Sequence, residues 1–270
     1  MSESLHFLVL QLTLLAVVLV LHTYIGLHIV RRTLIFSDLV LDQLAALGAL
    51  VGLALGVEYA TAGSYLVSTA MVLAGAGLLA GIRPRNALIP REAVIGTLYA
   101  VALLASLLVG DKLSGGETYV NKTLAGAMAW VSWPLVGVTA GVYAVLLLFH
   151  YVWRDRFIAL AEGTAAKERR WDFLLFTTQG IITILIVPIA GVLLAYAFLM
   201  IPATIATMFT RRWGRAVAVG WAVGFAACAA GCVASWHWGL PYGPTLVLAL
   251  GGAFLVAMGV RAARPAAQAA

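Results

Sequence analysis

Long apolar runs recur along this chain, and each is close to the roughly twenty residues that an α-helix needs to cross a hydrocarbon core about 30 Å thick. They fall at about 5–30, 36–57, 63–82, 91–110, 128–150, 173–190, 191–209, 215–236 and 243–261. A soluble fold cannot hide them. Across the 270 residues 63% are apolar or aromatic and only 10% are charged, whereas soluble domains carry about 25% charged residues. In lipid the backbone must satisfy its own hydrogen bonds, so runs of this length become helices. The expected fold is therefore an all-α polytopic membrane protein with eight or nine transmembrane helices. It forms one domain over 1–264 with a short tail at 265–270.

The formal net charge of +6 and the pI of 9.6 suggest nucleic acid in a soluble protein, but here the basic residues lie in the connections between apolar runs. They cluster at Arg31-Arg32, at Arg83, Arg85 and Arg91, at Arg154 to Arg170, at Arg211, Arg212 and Arg215, and at Arg261 and Arg264. By the positive-inside rule these connections face the cytoplasm, and no polyanion partner is implied. Glu58, the stretch Asp111 to Lys122 and the turn Gly239 to Gly243 then fall outside. The first run lacks a basic leader and a small-residue cleavage site, so it reads as a retained helix. Pro188, Gly191 and Pro202 interrupt the apolar stretch 173–209, which predicts a broken helix around 188–202. If both halves span, there are nine crossings and the N-terminus lies outside; otherwise there are eight.

Asp38 and Asp42 lie four residues apart in an apolar run, so on a helix both carboxylates share one face. Counted from Arg31-Arg32, they sit about 9 Å and about 15 Å into the membrane. A charge at such depth is costly, about 2.5–3.5 kcal/mol on insertion scales, and marks a pathway residue facing water, a cation or a partner. Pairing with Arg31 or Arg32, or a structural hydrogen-bonding role, is the competing reading. Oxygen ligands suit hard or borderline divalent cations, and two copies of the pair across a dimer axis would offer four carboxylates to one ion.

His22, His28, His150 and His237 are dispersed, and helix packing competes with metal ligation for each; His28 stands just before the Asp-bearing run. Cys228 and Cys232 lie four apart inside an apolar run and offer neither a disulfide framework nor a C-x-x-C motif. Leu113-Ser114-Gly115-Gly116-Glu117 looks like the signature of an ATP-binding cassette, yet the sequence has no G-x-x-x-x-G-K-[ST] phosphate loop. Any ATP hydrolysis belongs to another subunit. Asn121-Lys122-Thr123 matches a glycosylation sequon by chance. The connection Tyr151 to Asp172 surrounds the short apolar run Phe157 to Ala161 with charge. It reads as a solvated loop or as a short helix that docks a partner protein.

Several segments together resemble the metal-ion permeases of ATP-binding-cassette importers, which transport zinc, manganese or iron. Gly26-Leu27-His28-Ile29-Val30-Arg31-Arg32, Phe36-Ser37-Asp38 and Ala45-Ala46-Leu47-Gly48 look like the family's G-x-x-x-V-x-R-R-x-x-F-x-G-D-A-x-S-H region. Glu92 to Gly96 is similar to the segment opening its fourth span. Ala190 to Ala203 looks like its G-V-L-L-V-x-A-L-L-I-I-P-A stretch, and Leu240 to Pro244 resembles its L-P-x-G-P turn.

The resemblance implies a type II importer permease in the bacterial inner membrane, a homodimer that is not itself an enzyme and binds no cofactor of its own. Its partners are ATPase subunits and an extracytoplasmic metal-binding protein. The implied transient metal site is Asp38 and Asp42, with His28 a further candidate. The coupling segment is about 154–170, with Phe157, Ala159, Ala161, Glu162 and Gly163 at its centre. Asp42 stands where the family has a histidine, and Gly239 where an acid often precedes the L-P-x-G turn; carboxylate in place of imidazole biases the site toward harder cations, and zinc and manganese both stay open. A cation-coupled secondary transporter or channel using the Asp pair, and a permease for an iron chelate or cobalamin, are the alternatives.

Overall fold

With no water to satisfy their amides, the apolar runs close their hydrogen bonds internally and become helices. The computed structural model describes residues 3–84, 88–126, 131–166 and 168–263. Ten helices follow in order: α1 (Glu3–Arg31), α2 (Ile35–Ala54), α3 (Ala62–Gly81), α4 (Arg91–Asp111), α5 (Gly116–Ala125), α6 (Trp133–Val152), α7 (Arg154–Ala161), α8 (Arg169–Phe209), α9 (Trp213–Trp238) and α10 (Tyr242–Ala263). There is no strand among the described residues. Eight of the helices are long and apolar enough to cross a membrane. The tail 265–270 and the first residues of the expected run 128–150 lie outside the described residues.

Local sequence sets the ends. Pro90 precedes α4 in extended conformation and Pro134 sits in the first turn of α6, where a missing N–H leaves no bond unmade. Gly239 closes α9 in the left-handed region, which glycine enters without a Cβ penalty. The polar connection after α4 contains α5, which starts behind Gly115 at φ +70°.

The longest helix is not straight. Gly191 has φ +77° and ψ 164°, a conformation open essentially to glycine alone, and it divides α8 into arms of 169–190 and 192–209. At 1.5 Å per residue the arms rise about 33 Å and about 27 Å, each enough for a crossing. Both outer ends return to one face of the molecule. Asp172, in the first turn, is ion-paired with Arg32, while the carbonyl of Arg211, just past the last turn, accepts a 2.8 Å hydrogen bond from Arg31. Arg31 and Arg32 are consecutive, so α8 is a hairpin that enters and returns. Among the described residues the helices accordingly make nine passes, with the N-terminal helix starting on the face opposite the arginines.

At the far face, a Cβ on Gly126, after α5, would collide with the carbonyl of Ala190, so the C-terminal end of α5 lies against the tip of the hairpin. α2 and α3 pack on α8, and α1, α9 and α10 pack on it as well. The second arm meets α1 at Gly26, whose Cβ would strike the Leu199 carbonyl, and meets α9 at Gly220, whose Cβ would come within 2.8 Å of the Pro202 carbonyl. Of the most apolar stretches of α2 and α8, 72% is buried, against 22% for α4 and 17% for α10. The interior is therefore α2 and the hairpin, and the peripheral helices turn their apolar faces to lipid.

Candidate metal-ion site and coupling helix

Asp38 and Asp42 lie in the first two turns of α2 and are 1% exposed each. α2 and the first arm of α8 both run from the arginine-rich face toward the opposite one, so they are parallel, and they meet in register. Gln179 Nε2 donates to Asp38 Oδ1 at 2.8 Å, and Thr183 Oγ1 donates to Asp42 Oδ1 at 2.8 Å. The sequence separation is 141 in both pairs. The four-residue spacing of the acids is thus matched by a four-residue spacing of donors, giving two rungs between two helices.

In each carboxylate one oxygen is held and the other, Oδ2, is buried with no hydrogen-bond partner among the described residues; Gln179 Oε1 is in the same condition. Buried acceptors without partners are costly in a low-dielectric interior. Three such oxygens gathered on two rungs can accept a proton or a cation. Tyr143 of α6 is buried close by with its hydroxyl 3.4 Å from His22 Nδ1, and the two rings stack with centroids 5.8 Å apart. His22 Nδ1 also lies 3.0 Å from the Val18 carbonyl. Its proton therefore points along its own helix.

The depth of the pair follows from α8, which carries both the rungs and the charged cluster at its base. Gln179 and Thr183 stand about 10.5 Å and about 16.5 Å beyond Asp172 along the helix, close to the expected 9 Å and 15 Å. Measured along α2 itself, Asp38 is only in the first turn, because residues 32–34 form a turn and the long Arg32 side chain reaches back to Asp172. Neither Asp38 nor Asp42 pairs with an arginine in the described structure; Arg31 and Arg32 have other partners.

His28 is fully buried, and its ring faces Trp213 at 4.4 Å, Tyr24 at 4.7 Å and Phe157 at 6.1 Å between centroids. It thus lies in an aromatic socket toward the arginine-rich face. No group of three or more His, Cys, Asp and Glu side chains that could hold a metal is gathered among the described residues. His237 is exposed at the end of α9, and Cys228 and Cys232 are buried as free thiols.

The short helix in the charged connection is α7. Its apolar face is its anchor: Phe157 is 1% exposed and packs on Phe149, His150 and Trp171, while Leu160 and Ala161 are buried beside it. Ala159 is half-buried, and Glu162 and Gly163 are exposed with Arg154, Asp155 and Arg156. Gly163, at φ +71°, ends the helix in the left-handed region. Glu162 Oε1 accepts from Trp213 Nε1 at 2.8 Å and lies 3.5 Å from Arg31 Nη1. The Arg31 guanidinium in turn stacks 4.1 Å above the Trp213 ring. α7 is therefore bolted to the inner ends of α1 and α9, with a charged surface left to solvent.

Gln179 and Thr183 are the site residues that reading the sequence did not single out. Their signal was present: polar side chains inside an apolar run, at the spacing of the acids.

The described residues form a bundle of membrane-length helices with two acids held deep inside it. The family model described as "ABC 3 transport family" matches residues 4–261, and the chain belongs to this family of metal-ion ATP-binding-cassette permeases. It is 24% identical over 205 residues, 74% of this chain and 71% of the relative, to an uncharacterized membrane protein of Synechocystis sp.. To a probable metal transport system membrane protein of Chlamydia trachomatis it is 21% identical over 174 residues, 62% of this chain and 59% of that one. Among solved structures it is similar to PsaBC from Streptococcus pneumoniae in complex with Fab, with a TM-score of 0.76 and 20% identity over 94% of this chain and 91% of that one. That likeness establishes a shared fold.

Proposed function

We propose that this chain is the permease subunit of an importer in the bacterial inner membrane that moves a divalent metal ion, zinc or manganese, with Asp38 and Asp42 as its transient site. The observation that carries the reading is the pair of rungs from Gln179 and Thr183. They fix one oxygen of each carboxylate and leave the other turned to no described partner at mid-depth. A rigid pair of hard oxygen donors takes a divalent cation, and its small ligand number lets the ion leave again. Two copies of the chain would bring two such pairs to a common path.

An extracytoplasmic metal-binding protein would deliver the ion at the face where the hairpin tip and α5 lie. ATPase subunits would dock on α7 at 157–163, beside the connection 206–215 that Trp213 ties to Glu162. The iron-chelate and cobalamin alternative needs a wide path, and the close rungs favour a bare ion. The test is uptake into proteoliposomes holding the chain with its ATPase and binding protein, across zinc, manganese and iron. ATP-dependent accumulation of one ion is expected. An Asp38→Ala, Asp42→Ala variant should insert and bind its ATPase yet fall to the ATP-independent background; unchanged uptake sinks the site.

A further inference from the structure

The anchor of α7 and the carboxylate pair are joined by a continuous run of contacts that passes through one histidine. Phe157 packs on His150 with ring centroids 4.4 Å apart. His150, in the last turn of α6, is 1% exposed, and its Nε2 lies 2.9 Å from Thr178 Oγ1 on the first arm of α8. The threonine hydroxyl has one proton and two carbonyls in reach, Leu174 at 3.0 Å and Leu175 at 2.9 Å, which receive it. With that proton on a carbonyl, the tautomer that carries its hydrogen on Nε2 donates to Thr178. The next residue, Gln179, points to another side of the same helix and holds Asp38.

A phenylalanine or leucine would fill the same socket, so packing alone does not call for an imidazole at this place. What the imidazole adds is a directional bond from α6 to α8 at the level of the first rung. Consecutive residues of one helix move together, and a close-packed interior passes a displacement on instead of absorbing it. A push on Phe157 reaches His150, turns or shifts the first arm at Thr178, and alters the hold of Gln179 on Asp38.

We propose that His150 is the positioning residue that couples α7 to the ion site through Thr178 and Gln179. The proposal rests on the reading of α7 as the docking helix and Asp38 and Asp42 as the site. Three variants test it in the reconstituted complex with its ATPase and binding protein. His150→Phe keeps a ring against Phe157 and removes the bond, Thr178→Val keeps the shape and removes the acceptor, and Thr178→Ser restores it. The readout is metal accumulated per ATP hydrolysed, with assembly of the complex measured alongside.

The expected result is a roughly tenfold fall in that ratio for His150→Phe and for Thr178→Val, about the worth of one buried hydrogen bond. Thr178→Ser should return it near the parent value, and the double variant should be no worse than either single one, since both break one link. An unchanged ratio in assembled complexes, or losses that multiply in the double variant, overturns the proposal. The Asp38→Ala, Asp42→Ala variant separates the two levels. If it is inactive while the His150 and Thr178 variants keep the parent ratio, only the coupling role fails; if it transports normally, the site and the coupling role fall together.

Discussion

The two ends of the bundle are fastened differently. At the arginine-rich end, Asp172 is paired with Arg32 and stands 3.6 Å from both Arg83 and Arg91, which joins the α1–α2 turn, the α3–α4 connection and α8 at one buried carboxylate. Arg91 also donates to the Leu79 carbonyl at 2.7 Å, and Glu92 accepts from the Phe36 amide at 3.0 Å. Beside this lies the second junction of Arg31, Glu162 and Trp213. At the other end the ties among the described residues are uncharged, made of rings, a neutral hydrogen bond and close backbone: His6 against Trp133, whose Nε1 donates to His6 Nε2 at 3.1 Å, Phe7 against Tyr242, Tyr59 against Tyr119, and Gly126 against Ala190. An end knit by buried charge keeps its shape when pushed, because parting it strands an ion. An end knit by rings and glycine contacts separates without that penalty. The arginine-rich end is a rigid plate, the opposite end a seam.

The largest effect should come from removing the charge at the centre of the plate. Asp172→Asn leaves three guanidiniums around a neutral group, and a loss of about 3–5 kcal/mol is expected. In a thermal melt of the purified protein this should appear as a sharply lowered midpoint or as failure to recover monodisperse material. A midpoint unchanged by Asp172→Asn would break the contrast outright.

A smaller effect is expected at the seam. Gly191→Ala forces a Cβ into a backbone conformation that L residues avoid, at about 1–3 kcal/mol, and should lower the midpoint by a few degrees. Gly137→Ala, in the second turn of α6 with open space around it, should be neutral or slightly stabilising, since alanine is the better helix former. Equal losses for the two would mean that helix propensity, not the turn of the hairpin, is being measured. The smallest change belongs to Glu162→Gln, which removes a half-exposed ion pair and keeps an acceptor for Trp213; it should stay within about 0.5 kcal/mol of the parent in the same melt. Damage on the scale of Asp172→Asn would show that both inner junctions bear equal weight and would redraw the plate.

Much of this was legible before any coordinates. Apolar runs of membrane length identify the passes, because lipid leaves a chain few other choices, and the basic connections orient them. The acids announce themselves at Asp38 and Asp42, since charge is rare at that depth. What stays hidden is pairing. That Gln179 meets Asp38 and Thr183 meets Asp42 depends on the register of two helices far apart in sequence, and no local pattern encodes register. The role of His150 is hidden for the same reason: its burial is readable from its place at the end of an apolar run, but its partner Thr178 is not. The helix α5 stays hidden because it lies in a short polar connection between membrane spans and carries no membrane-length signal. The hairpin was half legible. Proline and glycine mark a break near 188–202, but only the contacts of Asp172 and Arg211 with neighbouring arginines show that the chain comes back.

That return has a consequence for how the protein is made. Residues 173–210 contain no charged side chain, so nothing within the segment can orient one arm independently of the other during synthesis. The flanking pairs Arg169-Arg170 and Arg211-Arg212 both stay on the cytosolic side, and the intervening stretch must therefore leave the insertion machinery as one unit. Its arms would have to find each other across Gly191 before either is released to lipid.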